Sequence, residues 1–296
     1  MFNDNRKMQY EKYNIARNYF IDNSDVLISL ENEISKIVTT IISDNLNDIV
    51  YDYNEASNLF PFWQNYPPSD RGRQPKGDQF PWIEVGEHVF GPKFSRELER
   101  YFKVRDIGIP TGPDERYVIS SEIISNICEI TNSSWLFIDV KSVGPRDDQQ
   151  HIVMSHNQIS GDGVWTDIND GVINSIIEAK GKFQSHPFYC AIPPLYILSD
   201  GTILPVVHVA IKPIYKMINI DTSRKAGGQP LHKIGIITIP NGLLLNVKPN
   251  YCLKYPGLFF PGKDDKGKDP KKTRARLSFE KLEQIDPWRV KILPIK

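Results

Sequence analysis

At 296 residues, with 40% apolar, 24% charged and 11% aromatic side chains, the chain can bury a sizeable core and is too aromatic for a disordered segment. Its 36 Lys and Arg balance 36 Asp and Glu, no apolar run nears the ~18 residues of a membrane helix, and residues 1–7 lack a signal-peptide pattern. Three cysteines without a CxxC pair argue against a disulfide framework or Cys-rich zinc site and fit a reducing cytoplasm.

In chain order, residues 25–50 predict an amphipathic helix, with Leu27, Leu30, Ile34, Ile37, Val38, Ile41 and Ile42 at helical spacing and Ser24 as its N-cap. Residues 60–80 are rich in Pro, Gly and aromatics and read as a connector docked on the core. Short β-branched or aromatic runs then predict strands at 117–120, 135–140, 195–198, 203–211 and 234–239. Ser199-Asp200-Gly201-Thr202 between two of them reads as a hairpin turn. Val172, Ile173, Ile176 and Ile177 predict one more helix over 168–180. With no repeats and no low-complexity linker, the expectation is a single α/β domain over 1–296, a mixed central sheet flanked by helices.

The balanced total hides a segregated charge. Residues 1–60 carry 5 basic and 10 acidic side chains, whereas residues 261–296 carry 11 basic and 6 acidic ones. A basic C-terminal face is the kind that tracks phosphates, although a solvated charged tail reads the same by composition alone. Gly262-Lys263-Asp264-Asp265-Lys266-Gly267-Lys268-Asp269 imitates a P-loop but fails it. Asp269 stands where a hydroxyl must reach Mg²⁺, two aspartates would sit among the phosphates, and Pro270 follows where a helix is needed. No nucleotide cofactor is expected. The six histidines are scattered, and His151 and His156 lie on different faces of either a helix or a strand, so no His-based metal site is expected.

The carboxylates carry more. An acid two residues before Lys occurs four times, but only Asp139-Val140-Lys141 ends an apolar strand, Trp135-Leu136-Phe137-Ile138. On a strand, Asp139 and Lys141 share a face and Val140 points oppositely. Upstream stands the chain's only Pro-Asp dipeptide, Pro113-Asp114. Two carboxylates from neighbouring strands repel, and a divalent cation relieves that repulsion. Oxygen ligands favour Mg²⁺, and a lysine beside it could orient a water and offset charge on a pentavalent phosphate. The competing reading is a strand-end salt bridge between Asp139 and Lys141. Farther on, Arg274, Arg276 and Ser278 alternate with Ala275, Leu277 and Phe279, which face the core. Phe259-Phe260-Pro261-Gly262-Lys263-Asp264-Asp265 could supply the partner strand. Such a ribbon fits the major groove of DNA, where Arg and Lys donate to guanine and Asp accepts from cytosine; a solvated basic hairpin is the alternative.

Pro-Asp followed by Asp-x-Lys on a strand resembles the PD-(D/E)xK nuclease superfamily. Longer strings resemble its type II restriction endonucleases, among them Phe62-Trp63-Gln64-Asn65-Tyr66-Pro67-Pro68, Pro110-Thr111-Gly112-Pro113-Asp114-Glu115-Arg116-Tyr117 and Asp139-Val140-Lys141-Ser142-Val143-Gly144-Pro145-Arg146-Asp147. The resemblance implies a restriction-endonuclease-like fold with a C-terminal DNA-reading β-hairpin. It implies a Mg²⁺-dependent homodimer that cuts both strands of double-stranded DNA at an interrupted palindrome with GCC and GGC half-sites. By this resemblance Asp114 and Asp139 bind the metal and Lys141 is the catalytic lysine; the Val140 carbonyl, between Asp139 and Lys141 in the chain, is expected as a further metal ligand. Lys263, Asp265, Arg274 and Arg276 match the base-reading hairpin and Asp147 a further base contact, while Glu87 is an additional acid near the metal. A repair or junction-resolving nuclease would share the chemistry but read shape. A non-catalytic DNA-binding regulator would have no use for Asp114, Asp139 and Lys141 around one strand end.

Overall fold

The computed structural model describes residues 2–59, 62, 82–143, 149–181, 185–216, 230–262, 269–271 and 273–295. Helices α1 (Phe2–Asp22), α2 (Ser24–Asp44), α3 (Leu46–Asn58) and α4 (Trp82–Leu98) precede the sheet strands. Then come β1 (Lys103–Asp106), β2 (Glu115–Ser120), α5 (Glu122–Ile127), β3 (Ser133–Val140), β4 (His151–Ser155) and a 3₁₀ turn, His156–Gln158. Strands β5 (Ile176–Lys180), β6 (Ser185–Tyr189), β7 (Leu195–Ile197), β8 (Ile203–Tyr215) and β9 (Leu231–Ile239) follow. The remainder is α6 (Gly242–Asn246), α7 (Tyr251–Lys254), β10 (Phe259–Pro261), β11 (Arg274–Ser278), α8 (Phe279–Ile285), a 3₁₀ turn at Pro287–Arg289 and β12 (Val290–Pro294).

The main sheet runs β1-β2-β3-β8-β9-β12, with β7 added to β8. Only the β3–β8 pairing among these is parallel, so the sheet is mixed. Strand β3 is buried along its whole length, which explains its nearly unbroken apolar run. Leu136, Ile138 and Val140 pack with Leu30, Ile34, Val38 and Ile41 of α2, while Trp135 and Phe137 face the other way. A second, three-stranded sheet, β10-β11-β4, packs its Ile152, Met154, Ala275 and Leu277 against Ala210 and Ile237 of the main sheet. The predicted strands all form, and the turn at 199–202 closes the β7–β8 hairpin through Leu198 N–H donating to the Thr202 carbonyl at 3.0 Å.

Two helix expectations are corrected. The helix over 25–50 is two helices, broken at Asn45, and Asn23 rather than Ser24 precedes the first. No helix forms over 168–180: Ile176–Lys180 is a strand paired antiparallel with β6, and Ile177 and Ala179 alone of its side chains are buried. Apolar pairs four apart satisfy a helix and a bent strand alike, and the available partner strand decides. Phe279 is buried as expected but opens α8 instead of ending the strand. Among the described residues the three cysteines are free, and no helix is long and apolar enough to cross a membrane.

Candidate active site

The end of β3 carries the densest chemistry. The β2–β3 ladder ends with Glu115 opposite Ile138, and Asp114, the residue just before β2, lies near Asp139 at the end of β3. Asp114 Oδ2 accepts the Val140 N–H at 2.7 Å, which fixes that carboxylate to the neighbouring strand. Asp139 is 2% exposed. Its Oδ1 accepts Lys141 Nζ at 2.9 Å and Gln158 Nε2 at 2.5 Å, and its Oδ2 lies 2.8 Å from Lys141 Nζ in the ion pair. Oδ2 is nevertheless buried without a hydrogen bond of good geometry. Burial pushes the Asp139 carboxyl up to about 6, and the Asp114 charge adds to the rise that Lys141 opposes.

Helix α4 lies close over this strand end because two of its residues lack side chains. A Cβ on Gly86 would collide with Ser142 Oγ, and one on Gly91 with Glu115 Oε1. Ser142 follows Lys141 and Glu115 follows Asp114, so the helix backbone meets both flanks of the acid pair. Glu87 belongs to this helix, but its side chain lies outside the described residues. Among the described residues no three His, Cys, Asp or Glu side chains cluster to hold a metal. The donor set at β3 is two carboxylates and a main-chain carbonyl. All are oxygens, and they suit a hard divalent cation that keeps several of its waters.

The candidate reading strand is β11. Arg274 is exposed and Arg276 partly so, while Ala275 and Leu277 are buried, as the alternation predicts. It pairs antiparallel with β10 on one edge, Phe260 opposite Arg276, and with β4 on the other, so the expected two-stranded ribbon is instead part of a three-stranded sheet with β11 at its centre. The bare backbone of Gly262 leaves room for the Arg276 guanidinium, which a Cβ there would strike. Lys263, Asp265 and Asp147 lie outside the described residues.

Two residues with a bearing on the site escaped sequence reading. Gln158 reaches Asp139 from the 3₁₀ turn after β4, and its Oε1 accepts the Ser155 N–H at 2.8 Å. The string Ser155-His156-Asn157-Gln158 is a capping box that marks this turn in the sequence. Lys212 of β8 is 2% exposed, donates to the His151 carbonyl at 2.5 Å and lies over the Phe279 ring at 5.3 Å.

Residues 8–293 match the family described as restriction endonuclease BglI. The type II restriction enzyme BglI of Bacillus subtilis is 45% identical over 292 residues, covering 97% of each chain. Among solved structures, restriction endonuclease BglI bound to its DNA recognition sequence superimposes with a TM-score of 0.90 at 44% identity, over 99% of each chain. Tetrameric restriction endonuclease SfiI bound to cognate DNA shares the fold, with a TM-score of 0.58 and 14% identity over 92% of this chain and 85% of that one.

Proposed function

Because the chain belongs to the BglI restriction endonuclease family and is a type II restriction endonuclease, we propose that it hydrolyses both strands of an interrupted palindrome with GCC and GGC half-sites, using Mg²⁺ at the end of β3. The observation that carries this reading is the buried Asp139 carboxylate, with one oxygen left without a hydrogen bond beside a second acid and a lysine. A strand-end salt bridge made only for stability has no need of Asp114, whose charge works against it.

Asp114, Asp139 and the Val140 carbonyl would hold the ion, with Glu87 as a further acid. Bound there, Mg²⁺ supplies charge stabilisation at the scissile phosphate. Asp114 keeps one oxygen on the Val140 N–H, so its other oxygen remains for binding. Lys141, about a quarter exposed, has its ammonium at the mouth of the site, where it orients the attacking water and offsets charge on the phosphate. Arg274, Arg276, Lys263 and Asp265 read base edges in the major groove, and Asp147 adds a base contact. A palindrome has two equivalent strands and each chain carries one such centre, so the working form is a two-fold homodimer.

Digestion of a long DNA with purified protein and Mg²⁺ tests the reading. Discrete bands, lost on adding chelator, are expected. A smear would indicate a nuclease that reads shape, and intact DNA a regulator.

A further inference from the structure

Both ends of the Gln158 amide are committed. Nε2 donates to Asp139 Oδ1 at 2.5 Å, and Oε1 accepts the Ser155 N–H at 2.8 Å. A flipped amide would set acceptor against carboxylate and donor against N–H, so the network admits only one orientation. Glutamate or leucine would lose the donor, and asparagine is one methylene short. The consequence for Asp139 is asymmetry: Oδ1 has two donors, Gln158 and Lys141, while Oδ2 keeps only the ion pair to Lys141.

Ser155, at the other end of this link, is paired directly with Arg274 in the β4–β11 ladder. Strand β4 is therefore strung between two polar tethers to the main sheet: Lys212 Nζ on the His151 carbonyl at its start, and Gln158 on Asp139 just past its end. Between these tethers its backbone carries β11, with Arg274 and Arg276 on the exposed face. A shift of β11 on engaging a base would move Ser155 and, through Gln158, the Asp139 carboxylate.

We propose that Gln158 is a positioning residue for cleavage, one that leaves Oδ2 of Asp139 for the metal and ties that orientation to the strand bearing Arg274. The inference rests on the assignment of Asp139 as a metal ligand. Groups that orient metal-binding side chains are typically worth roughly 10–100-fold in metal affinity or activity.

The test measures single-turnover cleavage of a cognate duplex at saturating enzyme, the Mg²⁺ concentration giving half the maximal rate, and duplex affinity in Ca²⁺. Gln158→Met removes both hydrogen bonds at similar volume; Gln158→Glu keeps the acceptor for Ser155 and loses the donor. Both variants should cut roughly 10–100-fold more slowly and need more Mg²⁺, with duplex affinity within about threefold of wild type. Cleavage at a wild-type rate with an unshifted Mg²⁺ requirement would overturn the proposal. So would losses of cutting and of duplex affinity in the same proportion, which mark a merely structural residue. For the tie to β11, Arg274→Ala should slow the chemical step in the wild-type background but add nothing in the Gln158→Met background; additive losses would refute the tie. Asp139→Ala, assayed in parallel, separates the failures. If that variant still cuts, the metal-ligand assignment fails; if it is inactive while the Gln158 variants cut normally, only the role of Gln158 does.

Discussion

Asp114 holds the main-chain N–H of Val140 with one carboxylate oxygen at 2.7 Å, so the two candidate metal-binding acids are coupled through the backbone between them. Val140 is buried under α2 and α4, and its peptide cannot turn without disturbing that packing. The acids are thus held close before any cation arrives. Preorganisation of this kind lowers the cost of assembling the site and leaves the empty site under electrostatic strain.

That strain gives the first prediction. In the metal-free protein, Asp139 keeps its proton up to about pH 6, whereas an unfolded aspartate loses it near the ordinary 3.8. The native state therefore binds more protons between these values, and this group's contribution to stability falls as pH rises through that window. The shift from 3.8 to about 6 corresponds to roughly 3 kcal/mol at neutral pH. Asp139→Asn should abolish cleavage yet unfold at higher temperature than wild type at pH 8, with the advantage vanishing below about pH 4. Equal thermal stability at pH 8 would show that the carboxylate is not held at a cost.

Replacing the same residue by Ala tests chemistry. Asp139→Ala should abolish cleavage while leaving specific binding in Ca²⁺ measurable. A residual rate above about a tenth of wild type, a loss under ~1.4 kcal/mol, would remove Asp139 from the metal site.

The acids were legible in the sequence because the period of a strand is two: Asp139 and Lys141 share a face, and the apolar run before them marks a buried central strand. Gln158 was not singled out, because its contact with Asp139 spans 19 residues and depends on how the β10-β11-β4 sheet packs against the main sheet. The capping box at Ser155 announces a turn, not what its glutamine touches. The misread helix over 168–180 has a different origin. Val172, Ile173, Ile176 and Ile177 fit either period, and the pairing that decides comes from β6, which begins only five residues beyond β5 but outside the apolar pattern itself. Nor does anything in a local pattern expose Arg289 as a buried cation, since basic residues near a chain end are ordinarily solvated.

Arg289 supplies the third prediction. Its Nη2 lies 2.8 Å from Glu31 Oε2 with both side chains fully buried, and its Nε contacts Asp286 Oδ2 at 3.1 Å. Glu31 Oε1 accepts the Asn241 N–H at 2.6 Å. Burial pushes the Glu31 carboxyl up and Arg289 pulls it back. The pair joins α2 to the turn before β12. Glu31→Leu should cost about 3–5 kcal/mol in urea unfolding, because it strands the guanidinium in the core. Combined with Arg289→Met it should cost much less, and a double variant as unstable as the single one would show that the pair's charges were not the issue.

Assembly is the fourth. Two equivalent strands call for two active sites related by the site's own two-fold axis. Sedimentation with a cognate duplex should show two protein chains per duplex. One chain per duplex, in a complex that still makes double-strand breaks, would exclude the homodimer.

The fifth prediction separates a base-reading hairpin from a solvated basic one. Arg274 and Arg276 project from the exposed face of β11, while Ala275 and Leu277 anchor the strand. Losing a bidentate Arg–guanine contact should cost ~1–3 kcal/mol on the cognate site and little on random DNA. Losing a phosphate contact weakens both alike and lowers the salt slope. Asp265 gives the sharpest contrast, because the two readings predict opposite signs. A carboxylate that merely sits near phosphates repels them, so removing it tightens binding. A carboxylate that accepts from a cytosine amino group contributes to recognition, so removing it weakens cognate binding even though the protein becomes more basic. Asp265→Ala should therefore lose affinity for G·C half-sites at matched salt, with binding to random DNA equal or tighter. Cognate binding that also tightens would assign the segment to charge alone.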